Sequence, residues 1–198
     1  MLKEEFPGLK LYSLDDLDIN TDCPEDGVTF IENAAAKSLF YSKLAGDMAT
    51  MADDSGLVVE ALNGEPGVHS ARYASDECDE RGAPAAEEKK KDSRRIIDQR
   101  NIEKLLRKLS SEENRAAKFV CEIVLSKNGK IIESFHGEVE GVILRQKRGS
   151  GGFGYDPVFY YPSLEKTFAQ LTTEEKNKIS HRADALQKLK DYLRLNQA

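Results

Sequence analysis

Two adjacent carboxylates follow an apolar segment and form the first candidate for chemistry. Asp53-Asp54-Ser55-Gly56 comes directly after Met48–Ala52, which predicts a polar turn at the end of a buried strand. Carboxylate oxygens are the ligands that Mg²⁺ prefers, and a carboxylate so placed can also orient or deprotonate an attacking water. Glu25, in an upstream turn, can reach the same cation, whereas a helix cap explains Glu32. The motif alone also fits a solvated Asp-rich turn.

A glycine-rich loop at 149–157 is the second candidate. Three of its glycines match the spacing G-x-G-x-x-G, but the loop leads through Asp-Pro into a strand. A dinucleotide site of the Rossmann type needs a helix there, and no Gly-Lys-Ser/Thr follows that would make a P-loop. We therefore interpret the loop as presenting Phe153 and Tyr155 for stacking on a base, with Asp156 accepting from ring N–H groups. A structural loop with buried aromatic side chains is the alternative.

A cationic helix start is the third candidate. Lys176 lies one turn upstream of Ser180-His181-Arg182, and these side chains are able to grip a phosphate or the carbonyl of a base. Donors from His181 and Arg182 would favour an oxo purine over adenine, which carries an amine at the same ring position. An ordinary polar helix end is the competing interpretation.

Asp54-Ser55-Gly56 also matches the Asp-Ser-Gly of aspartic proteases. Such proteases need two aspartates that share a proton, and this chain holds one copy of the motif. Only a homodimer would complete the dyad, and the loop and the cationic helix start would then have no role. We therefore disfavour a protease.

Composition limits the classes of function. The 198 residues are 39% hydrophobic and 32% charged, which is typical of one globular domain that buries a core. The net charge of −6 disfavours non-specific binding of nucleic acid, which needs a positive excess. Three widely spaced cysteines favour a reducing cytoplasm over a disulfide framework, and no apolar run is long enough to span a membrane.

The elements that must position these residues alternate between helix and strand, which predicts an α/β fold with antiparallel pairing. A capping box, Thr29 with Glu32, opens a helix that runs from Phe30 to Ala45. The other predicted elements are strands over Leu9–Ser13, Leu57–Leu62, Phe119–Leu125, Lys130–Leu144 and Val158–Tyr161, a hairpin turn at Asn128-Gly129, an amphipathic helix around Ile102–Leu109, and helices that start near Thr172 and Ser180.

These motifs, in this order, resemble the non-canonical purine nucleoside-triphosphate pyrophosphatases, also called inosine triphosphate pyrophosphatases. The resemblance covers nearly the whole chain apart from an insertion at about 79–95. Its motifs are Thr29-Phe30-Ile31-Glu32-Asn33-Ala34 with Lys37, Ala52-Asp53-Asp54-Ser55-Gly56-Leu57, Pro66-Gly67-Val68-His69-Ser70-Ala71-Arg72-Tyr73, Gly151-Gly152-Phe153-Gly154-Tyr155-Asp156-Pro157, Leu171-Thr172 with Glu175-Lys176, and Ile179-Ser180-His181-Arg182.

The resemblance implies an elongated mixed β-sheet flanked by helices, two lobes with a central cleft, and a homodimer. It implies Mg²⁺-dependent hydrolysis of dITP, ITP and XTP to the monophosphate and pyrophosphate, which cleanses the nucleotide pool. By the same resemblance, Asp54 is the proton acceptor and a metal ligand, and Glu25 is a second metal ligand. The implied substrate contacts are Ser55, Phe153, Gly154, Tyr155, Asp156, Lys176, His181 and Arg182.

The chain departs from the family layout at its start. The family opens with a strand and a T-G-N-x-x-K loop that cradles the triphosphate, and this sequence contains neither. The sequence therefore leaves two hypotheses open, an active pyrophosphatase and an N-terminally truncated, weakly active or inactive nucleotide-binding homodimer. The Lys89-Lys90-Lys91 run of the insertion is interpreted as a solvated face.

Overall fold

The computed structural model describes residues 2–75 and 89–196, which adopt the predicted α/β fold. Five strands form one sheet in the order β1-β2-β3-β4-β5, and β4 pairs antiparallel with both of its neighbours. The strands are β1 Thr50–Val59, β2 Ala116–Lys127, β3 Lys130–Ile143, β4 Phe159–Tyr161 and β5 Lys166–Thr167. The α-helices are α1 Leu2–Glu5, α2 Phe30–Leu44, α3 Lys89–Lys108, α4 Thr173–Ile179 and α5 His181–Leu195.

The chain divides into two compact units. The first unit comprises Met1–Asp54, Glu122–His136 and Ala185–Ala198, and the second comprises Ser55–Cys121 and Gly137–Asp184. None of the helices in the described parts of the chain is long and apolar enough to cross a bilayer.

The segment around the paired carboxylates is one continuous strand, so the predicted turn between two short strands is wrong. β1 runs from Thr50 to Val59, and Leu57 and Val59 in its second half are fully buried. Asp and Ser favour turns in isolation, which is why the motif indicated one. Pairing within the sheet overrides that preference, because an extended strand can leave polar side chains on its less buried side.

Helix α2 begins as the capping box predicts. Thr29 Oγ1 accepts from the Glu32 amide at 3.3 Å, and Glu32 Oε2 accepts from the amides of Val28 and Thr29 at 2.8 and 3.0 Å. The Glu32 carboxylate is thus engaged by the helix start, as the sequence suggested. The helix ends at Leu44, and Gly46 follows in the left-handed region that favours glycine.

Two other predictions about local structure had opposite outcomes. The Asn128-Gly129 hairpin is confirmed, with φ of 50° and 71° at the two turn residues. The predicted strand over Leu9–Ser13 is wrong, because these residues lie in irregular backbone and pair with none of the strands in the described ranges. Alternating apolar residues become a strand only where a neighbouring strand accepts their hydrogen bonds.

The core of the second unit packs α3 against the sheet. Ile102 and Leu105 are buried on one face of α3, as their spacing predicted, and Leu109, the first residue after the helix, is buried in the same core. Phe119 lies at the centre of a ring cluster, 4.5 Å from Phe159 and 5.8 Å from Phe168 between ring centroids. Helix α3 already begins at Lys89, inside the predicted insertion, and residues 76–88 lie outside the described residues, as do the side chains of the Lys89–Lys91 run.

Candidate active site

In the first unit, two acidic side chains meet one lysine. Lys37 Nζ lies 3.4 Å from Asp54 Oδ1 and 3.5 Å from Glu25 Oε1. Asn33, one turn before Lys37 on α2, donates from Nδ2 to Asp54 Oδ2 at 3.1 Å. Residues four apart on a helix share a face, so α2 presents both polar groups to the same carboxylate.

Burial and neighbouring charge act in opposite directions on Asp54. Desolvation raises the pKa of this carboxyl above its ordinary value, and the Lys37 charge and the Asn33 hydrogen bond partly offset that rise. A raised pKa makes the ionised carboxylate a stronger base than an exposed aspartate. Asp54 is therefore suited to accept a proton from a water molecule.

The same two carboxylates fit a hard divalent cation. Glu25 and Asp54 already converge on one positive charge, the Lys37 ammonium. Mg²⁺ is usually held by one or two carboxylates and completes its shell with water and phosphate oxygens, so this donor set is sufficient. Among the described residues, no group of three or more His, Cys, Asp or Glu side chains comes together, so a closed all-protein site is not present there.

In the second unit, Asp156 organises the glycine-rich loop from inside. Its carboxylate is almost fully buried, accepts from the Phe153 amide at 2.9 Å and forms an ion pair with Lys176. From the sequence we expected the Asp156 carboxylate to accept from a ring N–H group of a base. In the structure, two protein donors, the Phe153 amide and Lys176 Nζ, already contact its Oδ2. A Cβ on Gly152 would lie 2.0 Å from that oxygen, so the loop requires glycine there.

Of the two aromatic residues in the loop, only Phe153 is presented. Its ring is about half exposed, with Lys176 Nζ 4.6 Å and Arg182 Cζ 5.6 Å from the centroid. Tyr155, which we expected beside it as a stacking ring, is instead buried in the core and donates from its hydroxyl to the Ser70 carbonyl at 2.9 Å. A tyrosine can be buried where its hydroxyl finds a hydrogen-bond partner, and the Ser70 carbonyl supplies that partner here.

A cavity of about 280 Å³ in the second unit brings together the cationic helix start and the loop. His181 is buried against Phe119, with ring centroids 4.9 Å apart, and burial lowers its pKa to about 3, so the imidazole is neutral at pH 7. Its buried Nδ1 has no hydrogen-bond partner within the described residues. The cavity is lined by Gly152, Phe153, Phe168, Leu171, Thr172, Thr173, Lys176, Asn177, Ser180, His181 and Arg182.

The end of α4 and the start of α5 explain how the cationic side chains are held. Ser180 caps α5, since its Oγ accepts from the Ala183 amide at 3.2 Å. Arg182 follows within the first turn of α5 and donates from Nη2 to Ser55 Oγ at 2.7 Å. Lys176 lies on α4, whose start is fixed by a second capping box at Thr172.

The structure thus groups the predicted site residues in two sets. Glu25 and Asp54 meet in the first unit; Ser55, Phe153, Asp156, Lys176, His181 and Arg182 belong to the second. Sequence reasoning assigned no role to Asn33 or Lys37. The sequence nevertheless holds a pattern that indicates them. Two polar residues four positions apart flank three alanines on a predicted helix, so their side chains share one face.

The chain resembles known proteins over most of its length. The Ham1 family model matches residues 1–192. The dITP/XTP pyrophosphatase of Staphylococcus aureus strain MRSA252 is 44% identical over 188 residues, which is 95% of this chain and 87% of the relative. The dITP/XTP pyrophosphatase of Halalkalibacterium halodurans is 43% identical over 188 residues, 94% of this chain and 87% of the relative.

Solved structures of Ham1 proteins also resemble this chain in fold. The Staphylococcus aureus Ham1 protein superposes with a TM-score of 0.82 at 44% identity, covering 98% of this chain and 91% of that one. A HAM1 protein from Coxiella burnetii gives 0.80 at 38% identity, covering 97% and 90%. By sequence and by fold, this chain belongs to the Ham1 family.

Proposed function

We propose that this chain is a pyrophosphatase that hydrolyses non-canonical purine nucleoside triphosphates (dITP, ITP and XTP) to the monophosphate and pyrophosphate. Relatives that share more than two fifths of its residues are named dITP/XTP pyrophosphatases. The observation that carries the proposal is the cavity of the second unit, where an exposed aromatic ring flanked by two cations lies beside a neutral, buried imidazole.

The residues of this cavity match the chemistry of an oxo purine. The half-exposed Phe153 ring offers a face on which a base can stack. The Arg182 guanidinium donates only, so it pairs with a carbonyl oxygen and is mismatched to an amine. The Nδ1 of His181, which no described residue contacts by a hydrogen bond, supplies a further polar contact that water or a base edge would satisfy.

The carboxylates of the first unit match the chemistry of the phosphates. Asp54, whose pKa is raised by burial, accepts the proton of the attacking water, and Lys37 neutralises negative charge beside it. Glu25 and Asp54 would hold a divalent cation, for which we propose Mg²⁺. When bound, that ion polarises phosphate oxygens and offsets the charge that develops on them.

The decisive experiment is product analysis with dITP and Mg²⁺. We expect equal amounts of dIMP and pyrophosphate, with dATP hydrolysed far more slowly, and loss of turnover in a chelator that added Mg²⁺ restores. Orthophosphate as the first product would rule out a pyrophosphatase. Calorimetry with a non-hydrolysable dITP analogue distinguishes an enzyme from an inactive nucleotide-binding protein. Binding of the analogue without turnover of dITP would favour the nucleotide-binding protein.

We also propose a cytoplasmic homodimer that needs no nucleic acid or membrane partner. Cys23 carries a free thiol, which fits a reducing compartment. Sedimentation equilibrium of the purified protein should give twice the mass of one chain. A monomer at micromolar concentration would reject the dimer and leave the proposed reaction standing.

A further inference from the structure

We propose that Asp98, on α3, is a positioning residue that holds the Gly154 amide and thereby sets the direction of the Phe153 ring. The inference rests on the proposed function of the cavity that Phe153 lines. It concerns a residue far from the site in sequence, 56 positions before the glycine that it contacts.

The contact has the geometry of a strong hydrogen bond. The Gly154 N–H donates to Asp98 Oδ2 at 2.8 Å, and the Asp98 side chain is only 13% exposed. The other carboxylate oxygen lies 3.4 Å from Arg94 Nε, one turn earlier on α3. A distance of 2.8 Å lies on the short side of the usual range for N–H···O bonds, and the low exposure of the acceptor limits competition from water.

Three consecutive loop residues are each anchored by a different partner. The Phe153 amide bonds to Asp156 within the loop, and the Tyr155 hydroxyl bonds to the Ser70 carbonyl. The Gly154 amide between them bonds to Asp98. The Phe153 side chain is half exposed, so the orientation of its ring depends on the peptide groups on either side. Asp98 fixes the peptide group that directly follows Phe153.

A second residue on the same side of α3 binds the segment from Ser70 to Ala74, which contacts the loop. Asn101, three residues after Asp98, is buried; it accepts from the Ala74 amide at 2.8 Å and donates to the carbonyls of Ser70 and Ala71. The Ser70 carbonyl is also the acceptor for Tyr155. Helix α3 therefore fixes the loop twice, directly through Asp98 and indirectly through Asn101 and Ser70.

The test compares four variants in steady-state kinetics with dITP. Asp98→Ala removes the acceptor, and Asp98→Glu keeps the charge but displaces the acceptor by one methylene. Asp98→Asn keeps an oxygen acceptor at the same distance without the charge. Arg94→Ala is the matched control, because it removes the helix ion pair and leaves the bond to the loop intact.

We expect Asp98→Ala and Asp98→Glu to raise KM for dITP about tenfold with kcat little changed, the pattern for lost binding of the base. Asp98→Asn and Arg94→Ala should stay close to wild type. Equal effects of Arg94→Ala and Asp98→Ala on KM, or a KM in Asp98→Asn as high as in Asp98→Ala, would overturn the proposal. The charges on α3, and not the hydrogen bond to Gly154, would then control KM.

Amide hydrogen exchange of residues 149–157 gives a readout that does not depend on turnover. The loop should exchange faster in Asp98→Ala than in wild type, and at the wild-type rate in Asp98→Asn and Arg94→Ala. Unchanged exchange in Asp98→Ala, or faster exchange without a change in KM, would overturn the positioning role. If wild-type protein released no pyrophosphate, the proposed function would be rejected. The exchange rates would still show whether the hydrogen bond from Gly154 to Asp98 restrains the loop.

Discussion

At the scale of single residues, Asp54 combines a structural cost with a chemical role. Its pKa in the folded protein is raised, chiefly because burial disfavours the charged form. A carboxyl with a raised pKa stabilises the fold only below its ordinary pKa, and this contribution is lost as pH rises through the folded value. At neutral pH the ionised carboxylate therefore destabilises the metal-free protein.

Asp54→Asn should separate these two properties. We expect the rate of pyrophosphate release to fall about a hundredfold or more, because a general base is lost. The melting temperature of the metal-free protein should rise, because a neutral amide replaces a desolvated charge and still accepts from Asn33. Asp22→Asn, which alters an exposed carboxylate outside the site, should leave the melting temperature unchanged. A lower melting temperature in Asp54→Asn would contradict this account of the carboxylate.

Gly152 is the residue on which the loop geometry depends most directly. Its φ is +71°, and an added Cβ would meet the Asp156 carboxylate, so Asp156 would have to leave both Phe153 and Lys176. We expect Gly152→Ala to raise KM for dITP more than tenfold (about 1.4 kcal/mol or more in binding).

Gly154→Ala is the control for Gly152→Ala. Gly154 also has a positive φ, +57°, but an added Cβ there meets no atom within 4 Å. Both variants bear the strain of a left-handed residue, about 1 kcal/mol, and only Gly152→Ala adds the clash. Equal effects in the two variants would show that backbone strain, and not the Asp156 contact, governs the loop.

At the scale of elements, the short helix α4 carries Lys176, and its stability depends on the capping of its N-terminus. A helix of seven residues has few internal hydrogen bonds, so its caps weigh heavily. Thr172 Oγ1 accepts from the Glu175 amide at 3.1 Å, and Glu175 Oε2 accepts from the Thr172 amide at 2.8 Å. This reciprocal pair defines where the helix begins and hence where Lys176 projects.

Thr172→Ala should therefore lower the free energy of unfolding by about 1 kcal/mol and weaken dITP binding. Urea denaturation and KM measurements check the two effects. Thr173→Ala, at the next position, keeps the cap and changes a residue of the same type and exposure, so its unfolding free energy should match wild type. A loss of stability in Thr173→Ala as large as that in Thr172→Ala would contradict the role of the cap.

At the scale of the whole molecule, one buried histidine couples stability to pH. Burial lowers the pKa of His181 to about 3, so the folded protein keeps it neutral while the unfolded chain binds a proton below about 6.5. A depressed pKa means that the stabilising contribution is complete above 6.5 and is lost progressively as pH falls towards 3.

The free energy of unfolding of the metal-free protein should therefore fall by up to about 1.4 kcal/mol per pH unit below 6.5. Urea denaturation at pH 7 and pH 5.5 measures the slope above the range in which ordinary carboxylates titrate. His181→Gln should flatten this slope, whereas His69→Gln, which alters a histidine outside the cavity, should retain it. A slope unchanged in His181→Gln would show that another group controls the dependence.

The amino-acid sequence by itself determined the family, the α/β class and the features made by near neighbours. The capping boxes at Thr29 and Thr172 and the turn at Asn128-Gly129 were predicted correctly, because each is made by residues at most three positions apart. Such contacts form with little loss of chain entropy, so their residue types alone indicate the structure.

Only the tertiary structure decided which distant groups meet and which side chains are buried. Asp54 meets Lys37 across 17 positions and Gly154 meets Asp98 across 56, and neither spacing has a local signature. Tyr155 turned inward and Asp53-Asp54-Ser55-Gly56 became strand because a core acceptor and a sheet were available. Burial and pairing depend on what the rest of the chain packs alongside, which local residue preferences do not encode.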